Sequence, residues 1–371
     1  MAATHEAKHA AVAVKVLPLW SLIFPPLGLI AAMLGFAKFG TIGITAAALL
    51  LGGCVIAAVH HAEVVAHKVG EPFGTLVLAL SVTVIEVSLI VSLMLADSGN
   101  AAALARDTVF AAIMIILNFI VGLCLLVGAV RHHEQRFVLR GVSAALCVLA
   151  AMSVLALVLP NYTSSVPGPY YAPSQLAFVA VVSLILYGTF VVVQAVRHRD
   201  YFLPEGDGAL PADVHAAPPT LRETWIAFGF LLVSLVGVVL LAKTLAPTLE
   251  RSVAAAGLPA AIVGIVIAGL VLAPESLAAV KAARRNRLQT SLNLALGSAL
   301  ATIGLTIPAV AVVSLMLDLP LSLGIDAKGL TLLGLSLFVA SLSLGTGRTT
   351  VLQGVVHLVI FAVYLFTTIV P

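Results

Sequence analysis

Two glutamates in this 371-residue chain stand where a carboxylate is hardest to keep. Glu86 lies in SVTVIEVSLIVSL and Glu275 in VLAPESLAAV, each with apolar neighbours on both sides. Burying a carboxylate in hydrocarbon costs at least about 2.5–3.5 kcal/mol on the most lenient insertion scale. Such a group needs a counter-charge, a proton, a metal ion or a water-filled cavity, and no Lys or Arg lies at comparable depth to pair with it. Carboxylate oxygens are hard ligands, suited to calcium, sodium or protons rather than to soft metals. Two of them neutralise one divalent ion or carry protons in its place, which is a simple rule for exchanging one against the other. The bland alternative is a pair of protonated glutamates, each hydrogen-bonded to a neighbouring helix.

Other polar residues qualify as supporting groups. Ser81 and Thr83 before Glu86, and Ser298 and Thr302 in ALGSALATIGLTIP, offer neutral oxygens, although hydroxyls inside helices commonly bond the carbonyl one turn back. Pro274, directly before Glu275, frees a carbonyl one turn earlier, and in membranes such sites are tolerated where backbone lines a cavity. The apolar stretch around it, from about Ser252 to Val280, predicts an extended or broken helix. A second cluster comprises His60, His61, Glu63, His67 and Glu71, with His60, Glu63 and His67 on one helical face. It reads as a polar helix end or as a proton-access or gating cluster, since His titrates near neutrality. A zinc site is a third option, without a compact motif to support it. His357, alone in the last apolar run, is expected to be a hydrogen-bonded structural residue. Cys54, Cys124 and Cys147 all fall in apolar runs and read as small buried side chains, with no disulfide framework.

The elements that must hold these residues follow from composition. Hydrophobic residues make up 61% and charged residues 9% of the chain, and mean hydropathy is +1.16, against about 25% charged residues in ordinary soluble domains. Apolar runs of about 20 residues recur throughout, long enough to cross a bilayer, and in lipid they must be helices. The short alternating segments of an outer-membrane barrel are missing. A polar N-terminal stretch with His5, Glu6, Lys8 and His9 precedes the first apolar run, which is too long for a signal peptide.

Eleven spans are expected, at about 17–36, 41–66, 72–95, 108–130, 138–160, 174–196, 222–244, 257–280, 290–316, 328–345 and 350–370. With the N-terminus inside and the C-terminus outside, fourteen of the nineteen Lys and Arg residues fall on the cytoplasmic side, as the positive-inside rule requires. The Arg284-Arg285-Asn286-Arg287 run then serves as an anchor. The polar segment from Arg197 to Pro219 divides the chain. The expected organisation is a tail and first helix (1–40), a five-helix repeat (41–196), a cytoplasmic linker (197–221) and a second five-helix repeat (222–371). An odd number of helices per block inverts the second against the first, the arithmetic of inverted-repeat transporters. The third and eighth spans, with Glu86 and Glu275, then hold the same place in the two blocks.

At these residues the chain resembles a known family. HHAEVVAHKVGEPFGTLVLALSVTVIEVSLI, LYGTFVVVQAVRH, LAPESLAAVKAARRNRLQTSLNLALGSALATI and GTGRTTVLQGVVHLVIFAVYL occur in order and cover nearly everything from Phe24 onward. They are similar to the ChaA-type calcium/proton antiporters of bacteria, in the cation/proton exchanger branch of the calcium/cation antiporter superfamily. The resemblance implies an all-α polytopic fold of one helix plus two inverted five-helix repeats. It maps the family's two cation-binding acidic residues onto Glu86 and Glu275, and its acidic residue near the end of the second span onto Glu63. The first repeat carries VTVIE where the wider family shows Gly-Asn before its Glu. The linker offers only Glu205, Asp207 and Asp213 as acids where relatives are often strongly acidic.

The expected function is therefore secondary cation/proton antiport in a bacterial inner membrane. Calcium leaves, or sodium or potassium, in exchange for protons by alternating access at a Glu86/Glu275 metal site, with Glu63, His67, Ser81, Thr83, Ser298 and Thr302 in support. No cofactor is implied. The partners are inorganic cations, protons and the lipid bilayer, not nucleic acid, and oligomeric state is left open. The competing readings are a passive cation channel and an intramembrane metal-dependent enzyme built on His60–His67.

Overall fold

The computed structural model of the chain describes residues 16–70, 73–95, 101–202 and 219–370. Glu71, most of the 197–221 linker and the N-terminal tail lie outside the described residues. Among the described residues eleven apolar helices follow one another. They are α1 (Leu19–Met33), α2 (Gly40–Val69), α3 (Phe73–Met94), α4 (Ala102–His132), α5 (Leu139–Tyr162), α6 (Pro173–Arg197), α7 (Leu221–Ala255), α8 (Ala261–Arg284), α9 (Leu288–Leu317), α10 (Ala327–Ser343) and α11 (Val351–Ile369). Among the described residues nine are long and apolar enough to cross a membrane; α1 and α10 are shorter, at 15 and 17 residues. Large apolar side chains such as Ile42, Phe178, Trp225 and Phe338 face outward, where lipid replaces water as solvent. The chain is a multi-pass membrane protein.

Each expected span has its helix, but the α7–α8 boundary moves. Thr220 caps α7: its Oγ1 accepts from the Glu223 N–H at 3.3 Å, and Glu223 Oε2 accepts from the Thr220 N–H at 2.8 Å. The helix then runs to Ala255 and ends before Gly257, whose φ of +67° suits glycine alone. Ser252 to Ala255 therefore close the seventh helix instead of opening the eighth. The expected extended or broken eighth helix is corrected as well, because α8 continues through Pro274 without interruption. One proline removes one rung of the hydrogen-bond ladder, and here the rest carries on. In consequence Glu275 stands nine residues before the end of α8, and Glu86 eight before the end of α3.

The two blocks pack reciprocally. α2 lies against α7, with α1 outside both. α4 packs on α8 and α11, as α9 packs on α3 and α6. The third helix of each block contains a π-helical segment, Ile115–Ile120 in α4 and Thr302–Thr306 in α9. The connections repeat the pattern at opposite ends of the bundle. Strand β1 (Gln135–Arg136), after α4, pairs antiparallel with β2 (Arg348–Thr349), before α11. At the other end Tyr170, before α6, pairs with Ser322, after α9. Equivalent loops thus meet on opposite faces, the geometry of inverted repeats.

Candidate functional site

Glu86 is 2% exposed. Its Oε2 accepts a hydrogen bond from Thr306 Oγ1 at 2.9 Å, and its buried Oε1 has no hydrogen-bonding partner among the described residues. The donor comes from the π-helical segment of α9, whose wide winding keeps Thr302 and Thr306 turned toward α3. Glu275 is half-buried, and its buried Oε2 likewise lacks a partner among the described residues. Both carboxyl groups line one cavity of about 380 Å³ between α3, α6, α8 and α9. Among the described residues no Lys, Arg or His lines it. Two buried carboxylate oxygens without a partner, on residues that line one cavity, are what a hard cation or a proton can satisfy.

The cavity extends from Glu86 and Thr302 toward the end of the bundle that holds β1 and β2. There Gln194 of α6 and Asn293 of α9 line it, beside Phe202. Asn293 Nδ2 donates to the Phe202 carbonyl at 2.6 Å, fixing the chain at the cavity mouth.

Of the supporting residues, Thr83, Ser298 and Thr302 line the cavity. Thr83 spends its proton on the Ala79 carbonyl at 2.9 Å, so its oxygen remains an acceptor. Ser81 is buried outside the lining and donates to the Val77 carbonyl at 2.8 Å. Glu63 and His67 are exposed on α2 and do not reach the cavity wall. His60 Nε2 donates to the Val16 carbonyl at 3.1 Å and His61 Nε2 to the Ser21 carbonyl at 2.8 Å, tying the start of α1 to α2. Among the described residues no three His, Cys, Asp or Glu side chains gather to hold a metal ion.

His357 is fully buried away from this cavity. Its Nε2 meets Ser343 Oγ at 2.8 Å, its Nδ1 meets Asn118 Oδ1 at 3.4 Å, and Asn118 Nδ2 donates to Ser336 Oγ at 2.8 Å. Cys54 and Cys124 are buried as expected. Cys147 is exposed on α5, a correction: its helix turns that side outward in an apolar span, where a small thiol is as acceptable as in a core.

The residues sequence reasoning passed over are Thr306, Gln194 and Asn293. Asn293 stands out in retrospect as an amide in an apolar helix start, with Gln289 Nε2 donating to its Oδ1 at 2.9 Å. Gln194 sits inside LYGTFVVVQAVRH, visible as a polar residue in an apolar span.

Eleven membrane helices in two inverted blocks around a shared cavity form the fold of a secondary transporter. Comparison with known proteins makes this specific. The chain belongs to the sodium/calcium exchanger protein family, which it matches over residues 39–196 and 226–370. It is 49% identical to the putative ionic transporter y4hA of Sinorhizobium fredii, over 95% of this chain and 97% of the relative. It is 36% identical to the sodium-potassium/proton antiporter ChaA of Escherichia coli, over 94% of this chain and 95% of the relative. Among solved structures, the fold is similar to that of the selenium-substituted Ca2+/H+ antiporter YfkE, with a TM-score of 0.69 at 15% identity, covering 95% of this chain and 99% of that one. The H+/Ca2+ exchanger CAX gives 0.67 at 15% identity, covering 92% and 88%. Proteins of this family are transporters, so the intramembrane-enzyme reading is set aside.

Proposed function

We propose that this chain is a cation/proton antiporter of a bacterial inner membrane, with Glu86 and Glu275 as the shared site for cation and protons. The observation that carries the reading is the pairing of two carboxyl groups, each with a buried oxygen that lacks a partner, in one cavity with no basic side chain among the described residues that line it. Two negative charges and the neutral oxygens of Ser298 and Thr302 suit one calcium ion, and two protons discharge the same site. The cavity opens toward the end that carries the basic loops, which the positive-inside rule places in the cytoplasm. This state therefore receives a cation from inside and, once inverted, releases it outside as protons load. Glu63 and His67 are exposed near the cytoplasmic end of α2, and we assign them to proton delivery from that end. Residues 41–196 and 222–371 act as the two rocking units.

A second reading of the cargo rests on the 36% identity to a relative named for sodium, potassium and protons. Two hydroxyl-rich half-sites of one carboxylate each also suit monovalent ions.

One experiment ranks the cargoes and tests the site. Inverted membrane vesicles are energised, and a pH-sensitive dye reports dissipation of the proton gradient when calcium, sodium or potassium is added. Wild type responds to its cargo, and Glu86→Gln and Glu275→Gln, inserted at equal levels, do not. Normal exchange by either variant removes that residue from the site, and no response to any cation removes antiport.

A further inference from the structure

The inner half of the pathway is open here, and the outer half is closed by contacts that can be named. Resting on the alternating-access reading above, we propose that the outer passage runs between α4, α8 and α11 past Asp107 and Thr108, and that Gly264 and Arg106 hold it shut.

The inverted repeat supplies the map. Asn293, at the inner cavity mouth, and Asp107 each stand thirteen residues before the last residue of their π-helical segment, Thr306 in α9 and Ile120 in α4. Tyr187 lines the inner cavity from the fifteenth position of α6. Tyr364, at the fourteenth position of α11, packs edge-on against Phe110 of α4 with ring centroids 5.5 Å apart. The residues that open the inner mouth therefore have counterparts at the opposite end, on the helices that the pseudo-two-fold predicts.

Those counterparts are packed together. A Cβ at Gly264 of α8 would lie 2.8 Å from the Asp107 carbonyl carbon and 2.9 Å from the Thr108 nitrogen. Both are backbone atoms, so no rotamer change makes room. At the inner end α3 lines open cavity from Leu78 and Ala79 onward, about one turn deeper than the position equivalent to Gly264. Thr108 is fully buried. Arg106 adds a clamp, since its guanidinium donates to Asp107 Oδ1 at 2.8 Å, to the Gly324 carbonyl at 3.2 Å and to Ser322 Oγ at 3.4 Å. It thereby pins the α9–α10 connection onto α4. Among the described residues the inner end has no equivalent ion pair at Asn293, which donates to the Phe202 carbonyl and accepts from Gln289 Nε2, both neutral groups.

Glycine at 264 permits the closed outer packing, and any larger residue disfavours it. The two-state equilibrium then shifts toward the state in which α8 and α4 separate. The test is thiol labelling with a charged, membrane-impermeant methanethiosulfonate on right-side-out and inside-out vesicles, with the wild type and its three cysteines as background. Thr108→Cys reports the outer passage and Ser298→Cys the inner cavity. Adding Gly264→Ala is expected to raise Thr108→Cys labelling from outside about tenfold or more and to lower Ser298→Cys labelling from inside, a shift of one decade or more in the equilibrium.

Arg106→Gln, which removes the clamp without adding bulk, is expected to move both signals in the same direction. This second variant keeps the test decisive where Gly264→Ala fails to insert. Unchanged outer labelling in inserted Arg106→Gln, or labelling of both probes from the inner side alone, overturns the proposal. Labelling needs no transport, so the outcomes separate. Silent Glu86→Gln with unmoved labelling leaves the carboxylate site standing and the passage refuted, and the converse pattern does the reverse.

Discussion

Replacing Thr306 by valine removes a single interaction and keeps the shape. Thr306 is fully buried, and its hydroxyl donates to Glu86 Oε2 at 2.9 Å. A hydrogen bond to an ionised, buried acceptor contributes about 1.5–3 kcal/mol. The bond favours the carboxylate over the protonated acid, and the carboxylate is the form that binds a cation. Loss of about 2 kcal/mol corresponds to roughly a thirtyfold weaker apparent cation affinity. The assay is cation titration of proton-gradient dissipation in inverted vesicles, reading the half-saturating concentration. Thr331→Val serves as control, since that exposed hydroxyl bonds only the Ala327 carbonyl at 2.8 Å. A Thr306→Val half-saturation within twofold of wild type, at equal insertion, would refute the claim that this hydroxyl tunes the Glu86 charge.

Two other substitutions probe the scaffold. Asn118→Leu takes the side-chain oxygen from the buried His357 Nδ1 and the amide donor from Ser336 Oγ, which keeps its own bond to the Leu332 carbonyl; thermal unfolding in detergent should show a loss of about 1–3 kcal/mol, with cation half-saturation held within twofold because the cluster lies off the cavity. Thr220→Ala removes the α7 cap at a cost of about 1 kcal/mol, read as a lowered midpoint in the same melt with transport unchanged.

Much of this architecture is legible in the chain because lipid permits so few solutions. An apolar run of sufficient length must be a helix, and the alternation of basic loops counts the runs. The boundary between α7 and α8 was hidden because alanine-rich sequence continues across it, and only the positive φ at Gly257 ends the helix. Glu86 and Glu275 were visible as misfits in hydrocarbon. Thr306 was not, since it meets Glu86 across 220 positions of sequence. An α-helical wheel also drifts by about 40° at each four-residue step from Ser298 through Thr302 to Thr306, and the π-helical winding that brings the last hydroxyl back toward α3 has no sequence signature. The second cluster misled in the opposite way. The His60, Glu63 and His67 face resembles a ligand or proton cluster by type and spacing, yet in the structure His60 Nε2 and its neighbour His61 Nε2 meet the carbonyls of Val16 and Ser21.

The charge inventory of the cavity has an electrical consequence. With two carboxyl groups and, among the described residues, no basic side chain in its lining, the site is neutral when it holds two protons or one divalent ion, and carries −1 with one monovalent ion. A neutral cavity turns between the two faces without feeling the membrane potential. A singly charged one works against or with it, by about 2.3 kcal/mol per 100 mV if the charge crosses the whole field. Exchange of a divalent ion for two protons should therefore run at the same rate whatever voltage is clamped across the vesicle, and exchange of one sodium or potassium should not. Voltage alone reads out which cargo the two glutamates were built to balance.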